Sequence, residues 1–265
     1  MNQAFNRDCL EAMRETPDKY YDLAVVDPPY GGGSSQTVNV ERERERELHG
    51  GAADFEQRKR SRFGGWFDRY HISNEDGREL EQEIPMGTKG PVERDGRGRA
   101  KKYGYDIRHW DIAPQAEYFQ ELARVSKNQI IWGGNYFDLP PTRCFLIWRK
   151  LNISENFSMA MAEYAWTSFN DNAKVFEYAP QGNTEKRFHP TQKPVALYAW
   201  VYKLYAKPGM KILDTHLGSG SSRIAAYDAG LDFTGYEIDP TYFKLQEERF
   251  ARHTSQTNLF LEEGL

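Results

Sequence analysis

Two kinds of apolar pattern alternate along the chain, and each predicts one type of regular structure. Short apolar runs bounded by polar, Gly or Pro positions are typical of strands. These runs lie at residues 21–26, 129–132, 143–148, 161–166, 210–214 and 233–237. Apolar residues at helical spacing lie at 115–125, 195–205, 223–229 and in a last helix that we expect to end after His253. Strand, helix and strand in succession predict crossover connections and a parallel sheet.

The first chemical feature is the tetrapeptide Asp27-Pro28-Pro29-Tyr30, which directly follows the apolar run at 21–26. Loops at the carboxyl ends of strands are where open α/β sheets bind their ligands. Two successive prolines remove two backbone donors and leave nearby carbonyl oxygens available as acceptors. A carboxylate, such a carbonyl and an aromatic ring can grip an exocyclic NH2 group and stack on its base. The tetrapeptide therefore predicts an amine-methylation site, with a Pro-Pro turn and a capping Asp as the alternative.

The second chemical feature is a strand, a glycine-bearing loop and a helix, followed by the strand at 233–237. Asp214 and Glu237 end the two strands, and Gly218 and Gly220 form a Gly-X-Gly loop between them. This arrangement is typical of a mononucleotide-binding unit whose second acid accepts both ribose hydroxyls. Arg223 replaces the third glycine of a dinucleotide loop, and the Lys-Ser/Thr pair of a phosphate loop is missing. We therefore expect a nucleoside ligand with a charged amino-acid end, whose ammonium group Asp214 can bind.

The segment His189-Pro190-Thr191-Gln192-Lys193-Pro194 precedes the helix predicted at 195–205. Its prolines make the loop rigid, and Pro194 suits the first position of the helix. Amide and hydroxyl groups of such a loop can hold a small polar ligand. A single histidine at this position is more often a turn residue than a catalyst, so we assign His189 no catalytic role.

Composition narrows the class of protein. The chain has 265 residues, 39% hydrophobic and 14% aromatic, which suffices for one large α/β domain or two small ones and excludes a disordered chain. The N-terminus lacks a signal-peptide pattern and no apolar run is long enough to span a membrane, so we expect a cytoplasmic protein. Cys9 and Cys144 are the only cysteines, too few for a disulfide framework or a zinc site, and no metal is expected.

Positive charge is clustered, although the net charge is −4. One basic cluster lies at 58–62 and is followed by aromatic residues. A second, at 89–108, has seven Lys or Arg residues and three acids. Basic residues interleaved with Gly and aromatic residues suit a loop that contacts nucleic-acid phosphates. The alternative for each cluster is an ordinary solvated charged insertion.

Three motifs resemble those of the permuted β-class DNA amino-methyltransferases. In chain order they are Asp27 to Tyr30, His189 to Pro194 and Leu213 to Gly220. The resemblance spans most of the chain, and the order of three separate motifs makes it specific. The chain departs from the family at Thr215-His216, where the family usually has Pro-Phe, and in the length of the basic section after Tyr30.

The resemblance implies a fold and a domain organisation. The expected fold is α/β and Rossmann-like, with a mostly parallel seven-stranded sheet, helices on both faces and a circularly permuted motif order. The resemblance also implies that the protein uses S-adenosylmethionine as the methyl donor. A single methyltransferase domain would span 1–265, with a basic insertion at about 31–105 and a polar connection at about 170–188 as candidate DNA-recognition elements.

The expected site residues fall into three groups, on the motifs, at the strand-terminal acid Glu237 and on the basic clusters. Asp8-Cys9-Leu10 adds to them, because it resembles the family's N-terminal segment that contacts the cofactor adenine. The catalytic group is Asp27, Pro28, Pro29 and Tyr30. The cofactor-binding group is Asp8, Cys9, Asp27, Thr191, Lys193, Asp214, His216, Gly218, Ser219, Gly220, Ser221, Glu237 and Ile238. The DNA-binding group is Arg58, Lys59, Arg60, Arg97, Arg99, Lys101 and Lys102.

The expected reaction is methyl transfer to the exocyclic N6 of an adenine that has left the DNA duplex. Asp27 and the Pro28 carbonyl would hold the amine hydrogens out of the ring plane, which frees the nitrogen lone pair. Tyr30, helped by Trp132 or Tyr136, would stack on the base.

Three alternatives remain open at the level of the sequence. The acceptor can be cytosine N4, although family members with that preference usually carry Ser where Asp27 stands. It can be RNA or a protein side-chain amide, which similar Asn-Pro-Pro-Tyr sites serve. The third alternative is a catalytically idle DNA-binding module. We expect a stand-alone methyltransferase, of phage or mobile-element type, rather than one fused to a restriction enzyme.

The last residues predict a second partner besides double-stranded DNA. Gln256-Thr257-Asn258-Leu259-Phe260 resembles the short Gln-x-x-Leu-Phe peptides that dock into the bacterial replication sliding clamp. A polar spacer and a flexible terminus would let such a peptide reach its groove. Alternatively, Leu259 and Phe260 fold back on the sheet or form a dimer contact. The chain is expected to be a monomer or a homodimer.

Overall fold

Eight strands of the described residues form a single sheet. The computed structural model describes residues 1–31, 112–153, 160–180 and 187–262. The strands are β1 Asn2–Phe5, β2 Tyr21–Val26, β3 Ser126–Trp132, β4 Phe145–Lys150, β5 Ala162–Thr167, β6 Lys174–Tyr178, β7 Lys211–Asp214 and β8 Asp232–Tyr236. Their order across the sheet is β1-β8-β7-β2-β3-β5-β4-β6. Only the pairs β3–β5 and β5–β4 of this sheet are antiparallel.

Helices pack on both faces of the sheet. In the described ranges the α-helices are α1 Cys9–Glu15, α2 Ala116–Val125, α3 Val195–Tyr205, α4 Ser221–Asp228 and α5 Pro240–Glu262. In β2, Leu23 and Val25 belong to the core beneath α3 and α4, whereas Ala24 and Val26 belong to the core beneath α1 and α2. Both faces of the strand are therefore buried, which explains its continuous apolar run. None of the helices described is long and apolar enough to cross a membrane.

The α/β fold class with a mostly parallel sheet is confirmed. Strands β2 and β3 are parallel neighbours joined through α2, so the predicted crossover is present. The sheet has one strand more than the seven expected, because Asn2–Phe5 pairs with β8 at one edge. This short strand alternates half-buried and exposed residues and has no apolar run to mark it.

Several elements differ from the sequence prediction. The polar connection expected at 170–188 contains β6, a half-exposed edge strand whose charged residues hid it. Helix α4 begins at Ser221, two residues earlier than expected, because Gly220 supplies the turn before it. Helix α5 continues to Glu262, so the expected end after His253 is wrong. Thr254 does not stop it, because its hydroxyl bonds to the carbonyl of Phe250 one turn earlier.

The chain divides into two compact units. One consists of Met1–Gly32 and Arg99–Leu265, and the other of Gly33–Gly98. The second unit and the predicted DNA-binding clusters lie outside the described residues. The assignment of 1–265 to a single methyltransferase domain stays a prediction, as does clamp binding through Gln256 to Phe260.

Candidate functional site

Neighbouring parallel strands end at one edge of the sheet, and four acidic residues lie at or beyond these ends. Asp8 follows β1, Glu237 directly follows β8, Asp214 ends β7 and Asp27 directly follows β2. These four strands are adjacent in the order β1-β8-β7-β2. Because the carboxyl ends of parallel strands share one edge, the fold brings together acids that are far apart in sequence.

The carboxylate of Asp27 is held at both of its oxygens. Tyr30 Oη donates a hydrogen bond to Oδ1 over 2.7 Å, and Lys193 Nζ forms an ion pair with Oδ2. Burial, followed by the charge of Asp27, raises the pKa of Tyr30, so its phenol stays protonated and can only donate to the carboxylate. An ionised carboxylate has acceptor capacity for more than two donors, so Asp27 can still accept from a ligand amine.

The ring of Tyr30 packs against the backbone of Gly133. Gly133, directly after β3, has φ +70°, and a Cβ atom there would lie 2.0 Å from the Tyr30 ring. The ring of Tyr136 stacks on Tyr30, and Phe137 lies edge-on to it at 6.2 Å between centroids. The prediction that Trp132 stacks on a base is wrong, because its ring is fully buried in the core.

The glycine loop is bonded to the carboxylate of Glu237. The backbone N–H of Gly218 donates to Glu237 Oε2 over 2.7 Å, and that of Asp239 donates to Oε1 over 2.9 Å. Gly218 has φ +51°, and a Cβ atom there would lie 3.3 Å from the ring of His189. Loop and acid therefore form one rigid unit, with lone pairs left on the carboxylate for ligand hydroxyls.

The ring of His189 packs against the glycine loop. It lies edge-on to Tyr242 at 4.3 Å between centroids. Burial, helped by the charge of Lys193, lowers the pKa of His189 to about 3, so the imidazole is neutral at pH 7. Its Nδ1 lies 3.2 Å from the hydroxyl of Thr191.

The carboxyl group of Asp214, at the end of β7, is buried. Only 2% of the residue is exposed. The N–H of His216 donates to Oδ1 over 3.0 Å, and Ser222 Oγ donates to Oδ2. Burial raises the pKa of Asp214 to about 7 against these two hydrogen bonds, and the charges of Asp27 and Glu237 add to the rise. A cationic ligand would relieve this crowding of negative charge.

A chain of hydrogen bonds runs from α2 into the glycine loop. Tyr118 Oη and Thr215 Oγ1 are 2.6 Å apart, and Thr215 Oγ1 is 2.9 Å from His216 Nδ1. Burial raises the pKa of Tyr118 and lowers that of His216 to about 4, so both groups are neutral at pH 7. Thr215 and His216, the two departures from the family pattern, are thus partners of each other.

The remaining cofactor-binding predictions occupy different surroundings. Asp8 caps α1, because its Oδ1 accepts from Leu10 N over 2.7 Å and from Glu11 N over 3.0 Å. Cys9 begins that helix, and burial, followed by the charge of Asp8, raises the pKa of its thiol to about 12. Ile238 is 56% exposed at the rim, directly after Glu237.

Three residues at the site were missed by the sequence reading. Tyr118 reaches Thr215 from α2, Glu163 pairs with Lys193 from β5, and Arg249 reaches the glycine loop from α5. Glu163 carried one usable signal, a lone acid within an otherwise uncharged strand. Tyr118 and Arg249 carried none, because aromatic and basic residues are ordinary on helices that lie over a sheet.

The donors and acceptors of this region fit a nucleoside that carries a positive charge. Glu237 offers carboxylate lone pairs beside a loop of bare backbone, which suits ribose hydroxyls. Asp214 offers a buried carboxyl group for an ammonium group. Asp27 and Tyr30 lie at the next strand end, where a second molecule with an amine group could bind. These are the requirements of a methyl donor and an amine acceptor placed side by side.

Comparison with known proteins gives the same class. A model of the DNA methylase family matches residues 98–248, more than half of the chain. This stretch includes the glycine loop and begins after Asp27. The chain is also similar to YubD of Escherichia coli strain K12, which is named as a methylase, with 34% identity over 65 residues. That match spans 24% of this chain and 29% of the relative.

A solved DNA methyltransferase structure shares the fold. The chain is similar to the PvuII DNA methyltransferase, described as cytosine-N4-specific, with a TM-score of 0.51 at 10% identity over 99% of this chain and 93% of that one. It is also similar to the complex of M1.HpyAVI with S-adenosylmethionine, with a TM-score of 0.49 at 16% identity over 94% of this chain and all of that one.

Proposed function

Because this chain belongs to the DNA methylase family, we propose that it methylates the exocyclic N6 of adenine in double-stranded DNA. The methyl donor is S-adenosylmethionine. One observation supports an amine as the acceptor: the carboxylate of Asp27 lies at a strand end, held by Tyr30 and Lys193, next to the strand that carries Asp214. Such a carboxylate can accept a hydrogen from an amine that approaches the donor.

The chain's own residues suit S-adenosylmethionine. Glu237 would accept the ribose hydroxyls, and Asp214 would bind the ammonium group. Gly218 and Gly220 allow the ligand to approach the backbone without side chains. When bound, the cofactor supplies a methyl group on a positively charged sulfur, which the surrounding carboxylates favour electrostatically.

At the acceptor, Asp27 and the Pro28 carbonyl would each accept one hydrogen of the amine. This moves the nitrogen lone pair out of conjugation with the base and toward the methyl group. The amine nitrogen would bond to the methyl carbon as the positively charged sulfur releases it, and the methylated amine would then lose one proton to water. Leaving the duplex costs the base a few kcal/mol of unstacking, part of which stacking on Tyr30 returns.

The test removes the Asp27 carboxylate. Asp27→Ala should abolish methyl transfer from labelled S-adenosylmethionine to unmethylated bacterial genomic DNA. Calorimetric binding of the cofactor should change little, because Asp214 and Glu237 remain. Asp27→Asn, which keeps the size of the side chain, is the matched variant and should lose less activity than Asp27→Ala, since its carbonyl oxygen can still accept while the charge and the second acceptor oxygen are gone. A variant with normal turnover would overturn the assignment.

Cytosine N4 is the competing acceptor, and the name of the PvuII relative describes that specificity for that protein. We favour adenine because family members that methylate cytosine N4 usually carry Ser where Asp27 stands. Nucleoside mass spectrometry of treated DNA separates the products, N6-methyladenine and N4-methylcytosine. Transfer of label to RNA or protein, but not to DNA, would support the amide or RNA alternatives instead.

The basic clusters are proposed to contact DNA phosphates. Replacing Arg97, Arg99, Lys101 and Lys102 together should flatten the salt dependence of DNA binding, by a slope of about one for each lost contact. Arg58, Lys59 and Arg60 provide a second set for the same measurement. An unchanged slope after the fourfold replacement would remove that cluster from the DNA interface.

A further inference from the structure

Lys193 lies between two carboxylates inside the protein. The residue is 5% exposed, and its ammonium pairs with Asp27 from the end of β2 and with Glu163 from β5. The distance from Lys193 Nζ to Glu163 Oε2 is 3.2 Å, and Glu163 Oε1 is 2.5 Å from Lys150 Nζ. Positive and negative groups therefore alternate along a chain of four. A buried ammonium with two carboxylate partners stays charged and has little freedom to move.

The backbone of Lys193 is fixed to the glycine loop. Its carbonyl oxygen accepts a hydrogen bond of 2.7 Å from Ser221 Oγ, at the start of α4. Arg249 Nη1 donates to the same hydroxyl over 2.9 Å and to the carbonyl of Ser219 over 2.8 Å. Lys193 thus connects two parts of the site. Its main chain is bonded to Ser221, directly after the glycine loop, and its side chain is bonded to the carboxylate of Asp27.

The contact with Lys193 restricts the rotation of the Asp27 carboxylate. A carboxylate fixed by Tyr30 at one oxygen alone can turn about its side-chain torsion, and a second fixed donor at the other oxygen prevents this. The position of the remaining lone pairs is then set relative to the glycine loop.

We propose that Lys193, braced by Glu163, is a positioning residue that holds the Asp27 carboxylate oriented toward the target amine. The inference rests on the proposed function of Asp27 as the acceptor group. Lys193 itself touches neither the amine nor the methyl group in this role. It acts before the reaction, by fixing the group that grips the amine.

The test compares two buried lysines of the same charged chain. Lys193→Met removes the ammonium group that pairs with Asp27 and keeps the apolar part of the side chain. Lys150→Met makes the same change at the other end of the charged chain, where the lysine pairs with Glu163 and does not contact Asp27. For Lys193→Met, kcat should fall on the order of a hundredfold, the effect of losing one preorganised charged group. KM for DNA and Kd for S-adenosylmethionine should stay within about threefold, because neither ligand loses a contact.

Two further variants complete the design. Lys150→Met should keep kcat within about fivefold, even where its melting temperature falls as far as that of Lys193→Met. Lys193→Arg keeps the charge and should recover part of the lost kcat, since its fork cannot reproduce the ammonium geometry. Equal losses of kcat in both methionine variants, in proportion to melting temperature, would overturn the inference and leave a purely structural ion cluster.

Failure of the inference is distinguishable from failure of the proposed function. An inactive Asp27→Ala with a fully active Lys193→Met rejects only the role of Lys193, whereas an active Asp27→Ala rejects the acceptor assignment itself. If Lys193→Met does not fold, Glu163→Gln decides, because it removes the brace and leaves Lys193 in place. Its kcat should fall about tenfold with Kd unchanged, as expected for the loss of a positioning group, and an unchanged kcat overturns the inference.

Discussion

The ring of Tyr136 lies on the ring of Tyr30, with 4.7 Å between centroids and 20° between planes. Tyr136 is 62% exposed, whereas Tyr30 is partly buried. A base placed between two rings needs contacts of about 3.5 Å on each side. The two tyrosines are too close to admit one, so Tyr136 covers a face of Tyr30 that a target base could use. Tyr136 and the base therefore compete for this face.

We expect Tyr136→Ala to strengthen productive binding of DNA. Loss of an exposed aromatic pair worth about 0.5–1.5 kcal/mol should lower KM for DNA about twofold to twelvefold, with kcat unchanged. Tyr136→Trp keeps a competing ring and should show no such decrease. Steady-state kinetics on unmethylated genomic DNA measures both. An increase in KM for Tyr136→Ala would instead make Tyr136 part of the base-binding surface.

Gly133 offers a second test of the position of Tyr30. A Cβ atom at Gly133 would lie 2.0 Å from the Tyr30 ring, whereas one at Gly230 would meet nothing within 4 Å. Both glycines have positive φ, +70° and +65°, so alanine costs each about 1 kcal/mol of backbone strain. We expect both Gly133→Ala and Gly230→Ala to lose stability in urea, and Gly133→Ala to lose more because its Cβ atom also displaces the Tyr30 ring. Only Gly133→Ala should also lose activity.

The size of that loss follows from stacking. Base stacking on an aromatic side chain is worth about 1–3 kcal/mol, so a displaced Tyr30 should lower kcat/KM for DNA by about fivefold to 150-fold. Cofactor affinity, measured by calorimetry, should not change, because the glycine loop is untouched. Matching activity in the two alanine variants would show that the position of Tyr30 is not needed for turnover.

Asp214 should make cofactor affinity depend on pH. Its pKa is raised to about 7, first by burial, so the carboxyl group is neutral below that pH and ionised above it. The ammonium group of S-adenosylmethionine needs the ionised form. Affinity should therefore be constant above pH 7 and fall as pH drops below 7, approaching tenfold per pH unit.

Calorimetry between pH 5.5 and pH 8 measures this dependence. Asp214→Asn is the control, since it keeps the size of the side chain and cannot titrate. It should bind the cofactor weakly and with little pH dependence over the same range. A wild-type affinity that is flat through pH 7 would exclude Asp214 as the ammonium partner.

The sequence predicted the framework of the site because its signals are local. An apolar run followed by an acid marks a strand end, and this rule placed Asp27, Asp214 and Glu237 correctly at one edge of the sheet. Gly230 ends α4 as expected, with positive φ. Strands β1 and β6 escaped because both lie at sheet edges, where one half-exposed face removes the continuous apolar pattern.

Contacts between side chains could not be predicted in the same way. Lys193 and Asp27 are separated by 166 positions, and nothing local to either shows that they pair. The motif containing Lys193 indicated a ligand site, but the fold turns its ammonium to the acceptor carboxylate. The prediction that Trp132 stacks on a base was wrong for a related reason. The end of a strand can be read from the sequence, but the sequence does not show which residues near that end are buried in the core.

His216 stands where the resembling family usually has an aromatic residue, and its burial should be visible in stability. Burial lowers its pKa to about 4 in the folded chain, against about 6.5 when unfolded. Between these two pH values the unfolded chain binds the proton and the folded chain does not. The contribution of His216 to the free energy of unfolding is therefore complete above pH 6.5. As pH falls toward 4 the free energy of unfolding drops by about 1.4 kcal/mol per pH unit from this group.

His216→Phe removes this titration and leaves Thr215 bonded to Tyr118. Relative to wild type, the variant should gain about 1.4 kcal/mol of stability for each pH unit below 6.5, up to about 3 kcal/mol near pH 4. Asp214 titrates in the opposite sense, but it does so in both proteins and cancels in the difference. Urea unfolding from pH 7 to pH 4.5 measures the effect, and His216→Gln, which is polar but does not titrate, should show the same slope. Stability curves that run parallel to wild type would mean that His216 is already accessible to protons in the folded chain.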